Sequence, residues 1–139
     1  MKTIVLCGSM KLKDRMVEIE EKLKNLGFGV LLPDFGEVND YSTMTESKQY
    51  ELKNKMILNH FDKIKQGDAI LVVNESLKGV DSYIGANSFL EMGLAFSLNK
   101  KIFLLNNIPD QLNKVEIGGM LPVCLDGSFD LVAKEIIKA

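Results

Sequence analysis

The 139-residue chain has no tryptophan, three prolines, two cysteines and a single histidine. Each scarcity removes a class of function. The cysteines, Cys7 and Cys124, are too far apart for a paired metal-binding spacing, and reduced thiols in a cytoplasm are the reading they favour. With no second His and no Cys nearby, His60 lacks the company that a zinc site or a Ser-His-Asp or Cys-His nucleophile system needs. No apolar run approaches the ~20 residues that span a bilayer. The opening Met1-Lys2-Thr3-Ile4-Val5-Leu6 has one charge and too short an apolar stretch for a secretory signal. A formal net charge of −2 supplies no basic field for nucleic acid. The expectations are a cytoplasmic chain without membrane or nucleic-acid partners, and with neither metal nor cofactor.

What is present is ordinary for a folded globule: hydrophobic residues make up 46% and charged residues 26%, so disorder is not expected. The length fits one domain, 1–139. Two periods alternate along it. Thr3–Cys7 is a short apolar run that stops at Gly8-Ser9, and Leu12, Met16, Ile19, Leu23 and Leu26 then recur at helical spacing. Gly29–Leu32 reads as a second strand after the helix stop at Gly27. Residues 33–47 read as a surface loop. A helix over 48–65 follows, with Tyr50, Ile57, Phe61 and Ile64 inward, and Met16 and Met56 serve as core filler. Ala69–Val73 is β-branched without polar alternation, as a strand covered on both faces should be. The segment 85–98 is a helix, Lys101–Leu105 a fourth strand, 106–120 a second long loop, Leu121–Leu125 a fifth strand, and Phe129, Val132 and Ile136 mark a closing helix. This alternation predicts an α/β fold in three layers, a five-stranded parallel sheet in the order 2-1-3-4-5. Ligands in such sheets bind beyond the carboxyl ends of the strands, here between strands one and three.

The helix 85–98 is apolar nearly all round, which predicts burial, and Glu91 is its only charged residue. A lone buried carboxylate must be paired, hydrogen-bonded or protonated. Asn87 and Ser88, four and three residues earlier, share its face. Side chains lean toward a helix start, so Glu91 should point at the strand-end crevice with a raised pKa. The bland alternative is a carboxylate bonded to nearby backbone or solvated at a helix edge. Gly93, mid-helix, implies a close approach of backbone or ligand. Gly8-Ser9 opens a helix whose free N–H groups suit a phosphate or carboxylate, with Lys11, Lys13 and Arg15 adding charge; a plain turn with solvated lysines is the alternative. His60 borders the core or the crevice, Asp34, Asp62, Asp68 and Asp81 are possible partner carboxylates, and Asp68 more simply turns the chain into its strand.

Leu6-Cys7-Gly8-Ser9, Gly67-Asp68-Ala69-Ile70-Leu71-Val72-Val73, Glu91-Met92-Gly93-Leu94-Ala95 and Asn99-Lys100-Lys101-Ile102-Phe103-Leu104-Leu105 together resemble the nucleoside 2-deoxyribosyltransferase superfamily, which includes deoxynucleoside monophosphate N-glycosidases. The resemblance runs from residue 3 to about 125 in the expected order, and Glu-x-Gly-x-Ala is its most specific element. It implies a flavodoxin-like fold and cleavage of the N-glycosidic bond of a nucleoside or its 5′-monophosphate, by hydrolysis or deoxyribosyl transfer. Glu91 matches the nucleophile, Gly8-Ser9 the turn that takes part in 5′-phosphate binding, and Asn87 and Ser88 the start of the substrate-binding helix. Three positions depart from the pattern: Val5 or Leu6 replaces a tyrosine, His60 an aspartate on the leaving-base side, and Gly85 an acidic or hydroxyl residue. His60 or the nearby Asp62 is then the expected acid/base, and Asp34 and Gly85 complete the substrate-binding set. The family also implies a homodimer or higher assembly, with Gly118-Gly119-Met120 in the contributing region. Two other readings compete: a nucleotide-sensing module of the same fold without chemistry, and a flavin binder, which the short phosphate turn and the lack of tryptophan disfavour.

Overall fold

The structure, a computed structural model, describes residues 1–35 and 41–137. Strand β1 is Thr3–Cys7, followed by a 3-10 turn at Met10–Leu12 and helix α1 at Lys13–Asn25; then come β2 (Gly29–Leu31), α2 (Glu46–Gln66), β3 (Ala69–Val72), α3 (Ala86–Ser97), β4 (Lys101–Leu104), α4 (Lys114–Gly119), β5 (Val123–Cys124) and α5 (Asp130–Ile136). Among the described residues the five strands pair in parallel in the order β2-β1-β3-β4-β5, as the alternation predicts.

Strand residues alternate between two cores because successive side chains leave opposite faces of a sheet. Ile4, Leu6, Leu71, Val73 and Phe103 pack with Met16, Ile19 and Leu23 of α1 and Val132 of α5. Val5, Cys7, Ile70, Val72 and Leu104 pack on the other face with Ile64 of α2, Met92 and Ala95 of α3, and Ile117 of α4. Burying each such side chain contributes about 1.5–3 kcal/mol before chain entropy opposes it. Thr45 caps α2 by accepting from the Lys48 N–H at 3.2 Å. Asp68 turns the chain as expected, accepting from the Thr3 N–H at 2.8 Å.

Several expectations need correction. Tyr50 points outward rather than inward, and Leu26, beyond the last turn of α1, is also exposed. The segment expected to be loop over 106–120 contains α4, six residues long and held by Ile117; its brevity and its Gly118-Gly119 end hide its period. The predicted loop 33–47 includes a 3-10 turn at Tyr41–Thr43, and its residues 36–40 lie outside the described residues. Helix α3 is buried along one face only, through Ser88, Met92 and Ala95, while Leu90 and Phe96 are half exposed.

Gly93 is a further correction: a Cβ built there meets nothing within 4 Å among the described residues, so no close approach of backbone explains it. At Gly67, by contrast, a Cβ falls 2.5 Å from Val5 Cγ2 in the sheet core. Gly93→Ala should therefore stabilise the chain by about 1 kcal/mol, the helix-propensity difference. Gly67→Ala should cost about 1–3 kcal/mol through overpacking. Urea denaturation at matched pH reads both signs.

Candidate active site

Three elements converge at the carboxyl end of β1. Cys7 is its last residue, His60 comes from the C-terminal half of α2, and Glu91 from the middle of α3. The Cys7 Sγ lies 3.6 Å from His60 Nε2, and His60 Nε2 lies 3.8 Å from Glu91 Oε2. Cys7 is fully buried and His60 nearly so, whereas the Glu91 side chain keeps 13% of its surface in contact with solvent. The Glu91 side chain is therefore largely, though not completely, withdrawn from water. The expectation that no cysteine stands near His60 is thus overturned, because the sheet brings together residues 53 positions apart.

His60 Nε2 is 3.0 Å from the Leu6 carbonyl, which can only accept, so the neutral ring carries its proton on Nε2. Nδ1 is then a bare acceptor, buried and without a partner among the described residues. Burial, with Lys63 nearby, lowers the pKa of His60 to about 4. Burial raises Glu91 to about 7, against opposing contributions from its hydrogen bond with Cys7 and from Lys53. Cys7 itself is pushed well above the ordinary thiol range, by burial first and then by Glu91. His60 and Glu91 do not form an ion pair despite their proximity. Between pH 4 and 7 both are mostly neutral, and above that range Glu91 alone is charged. The imidazole is therefore neutral at pH 7.

The other predicted residues divide between the rim and elsewhere. Gly8 lies in the turn after β1, where a Cβ would meet Met16 Cε at 2.6 Å and the Val73 carbonyl at 3.3 Å, so a side chain there would displace Met16 and crowd the β3 backbone end. Ser9 Oγ accepts from the Lys11 N–H at 3.3 Å and caps the turn. Arg15 is committed to Glu75 at 2.9 Å and Glu18 at 3.0 Å, and Lys13 lies over the Phe35 ring, so neither stands as an unengaged cation for a ligand at this turn. Gly85 is the N-cap of α3; Ser88 is buried and Asn87 exposed. The Cys7 thiol, rather than either of them, is the neighbour that favours the charged form of Glu91. Asp62 is exposed, two residues and so roughly 200° around α2 from His60. Asp34 is exposed beyond β2, and neither aspartate belongs to the Cys7–His60–Glu91 cluster.

Sequence reasoning missed Cys7 and Lys53. Alternation in β1 puts Cys7 on the same face as Val5, and α2 and α3, the crossovers on either side of β3, cover that face; the signal was available. Lys53 precedes His60 by seven, two helical turns along one stripe.

Behind the rim, Asn74 is fully buried just after β3. Its Oδ1 accepts from the Asn106 N–H at 2.8 Å and its Nδ2 donates to the Asn107 carbonyl at 3.0 Å. Gln111 holds both the N–H and the carbonyl of Ile84, at 3.1 and 2.9 Å. These bonds tie the loop leading into α3 to the loop after β4. Two open cavities, about 640 Å³ along the outer face of α2 and about 480 Å³ between α1 and the start of α5, lie elsewhere and are not lined by Glu91.

The raised Glu91 pKa makes stability depend on pH. A carboxyl whose folded value exceeds its unfolded value favours the fold when protonated. Stability should therefore fall as pH rises from about 4.5 and level off above about 7. Thermal denaturation across that window should show wild type losing a few kcal/mol that Glu91→Gln retains; identical slopes would mean an ordinary glutamate.

No family model matches the chain, and no curated protein matches it. Solved structures do. A 2-deoxyribosyltransferase from the psychrotolerant Bacillus psychrosaccharolyticus matches 93% of this chain and 89% of its own, with a TM-score of 0.66 at 17% identity. A conserved protein from Enterococcus faecalis V583 matches 98% and 97%, with a TM-score of 0.59 at 16% identity. The CMP N-glycosidase of Clostridium botulinum matches 88% and 85%, with a TM-score of 0.51 at 17% identity. The three-layer α/β fold of this chain is the one found in nucleoside deoxyribosyltransferase-like proteins, among them a deoxyribosyltransferase and a nucleotide N-glycosidase.

Proposed function

We propose that the chain cleaves the N-glycosidic bond of a nucleoside or nucleoside 5′-monophosphate, with Glu91 as nucleophile. The observation that carries this reading is the largely desolvated carboxyl beside the end of β1, poised to ionise near neutral pH. A carboxylate stripped of most of its water is more reactive toward an oxocarbenium-like carbon than a solvated one, and it stabilises that charge in a medium of low dielectric. The Glu91 oxygen bonds to the anomeric carbon as the C–N bond breaks, the base leaves with the electron pair and takes up a proton, and a glycosyl ester remains. Water or a second base then attacks the same carbon and frees the carboxylate, giving hydrolysis or transfer. Cys7 and His60 act as positioning residues: the thiol donates to Glu91, and the neutral ring is fixed by Leu6. The backbone N–H groups at Gly8-Ser9, and Gly85, Asn87 and Ser88 at the start of α3, are the proposed substrate contacts, with Asp34 and Asp62 left as the more distant members of the set.

The site is proposed to be completed by a second copy of the chain. Leu112, Val115 and Leu121, around α4, are among the most exposed large apolar residues, and Leu90 and Phe96 of α3 add to them.

Chromatography of a panel of nucleosides and monophosphates incubated with the protein, with and without an acceptor base, should show free base released. Glu91→Ala should reduce release at least about a thousandfold while the thermal midpoint at pH 8 stays equal or rises. Tight nucleotide binding with no free base would instead favour the non-catalytic sensing module. Light scattering should show a dimer or larger species that Val115→Glu with Leu121→Glu converts to monomer, with loss of base release.

A further inference from the structure

We propose that Cys7, His60 and Glu91 form a reversible binding site for a thiophilic divalent cation of the zinc class. Their Sγ, Nε2 and carboxylate oxygen all lie within 4.8 Å of one another. A tetrahedral zinc, with bonds of about 2.3 Å to sulfur and about 2.0–2.1 Å to nitrogen and oxygen, holds its ligand atoms roughly 3.3–3.6 Å apart. The Sγ–Nε2 separation of 3.6 Å already fits, and the Nε2–Oε2 separation of 3.8 Å needs to close by about half an ångström. The three ligands come from β1, α2 and α3, packed on one face of the sheet, so the fold rather than the metal brings them together.

The donor set selects the ion. Thiolate with imidazole suits zinc, cobalt and cadmium, whereas magnesium and calcium demand oxygen ligands. Three protein ligands leave one position for water, the open pattern that distinguishes catalytic from structural zinc sites. The partly exposed Glu91 marks the route in, since Cys7 and His60 are enclosed behind it. Binding displaces the thiol proton to solvent. It also requires Nε2 to give up its bond to the Leu6 carbonyl, with the ring proton moving to Nδ1. Metal-ligating histidines ordinarily donate their second N–H to a partner, and Nδ1 here has none, which lowers affinity by about 10–100-fold. The cation is therefore a ligand that comes and goes.

The site stands on this geometry whether or not the chain is a glycosidase. Its consequence for activity rests on the proposed function: a carboxylate bound to a metal cannot attack a sugar, so the cation would inhibit.

The test is titration of chelator-treated full-length protein with Co²⁺, followed by displacement with Zn²⁺. One equivalent should bind with sulfur-to-cobalt charge-transfer absorption, and Zn²⁺ should bleach it and raise the thermal midpoint. Cys7→Ser should abolish the charge-transfer band, and Glu91→Gln, which keeps the thiol, should weaken binding by at least about tenfold. No charge-transfer band in wild type at a hundredfold excess of Co²⁺ would overturn the site. So would wild-type affinity in both variants, each verified as folded by circular dichroism. If base release is found, Zn²⁺ should suppress it and chelator restore it; metal binding without inhibition would count against Glu91 as nucleophile and leave the metal site standing.

Discussion

Removing most of the water from one carboxyl group sets the character of the whole site. Glu91 projects from a helix packed on the sheet into the corner where β1 ends, and few solvent molecules can reach it there. A charge in that corner is expensive, so the proton is held until near neutrality. The same desolvation keeps His60 unprotonated and the Cys7 thiol intact. At mildly acidic pH the three groups carry almost no charge, and the core tolerates them. As pH rises through 7, one negative charge appears, on the one member of the trio with an opening to solvent.

The surroundings limit how that charge can be used. Arg15, the only arginine in the chain, is drawn off by Glu75 and Glu18. Lys53 on α2 is the cation whose field reaches Glu91. Any anion contact proposed at Gly8-Ser9 would then rest more on backbone N–H groups than on a guanidinium fork. The buried Asn74 and the paired bonds of Gln111 to Ile84 hold the loops after β3 and β4 against each other. A fully satisfied polar network of this kind fixes loop positions, and with them the start of α3 on which Glu91 rides.

How much of this is legible in the sequence depends on the range of the interaction. Strand and helix identities follow from periodicity, and the order 2-1-3-4-5 from short right-handed crossovers. Glu91 stands out because a charge in a greasy helix violates the local pattern. Errors arose where the local pattern is compatible with two surroundings. Tyr50 fits a helical stripe yet faces out, 64% exposed near the start of α2. Helix α3 reads as buried all round, but a single chain supplies only one covering face. Gly93 reads as a contact position and is open.

The sequence by itself determined the layers, the strand order and the identity of the one acid placed against its environment, because each rests on spacing within about a dozen residues. Only the tertiary structure decided what that acid touches. Cys7 and His60 meet through the register of β1 on β3 and the crossing of α2 behind them. Distances across a sheet are set by pairing and packing among segments far apart in the chain, and no local period encodes them.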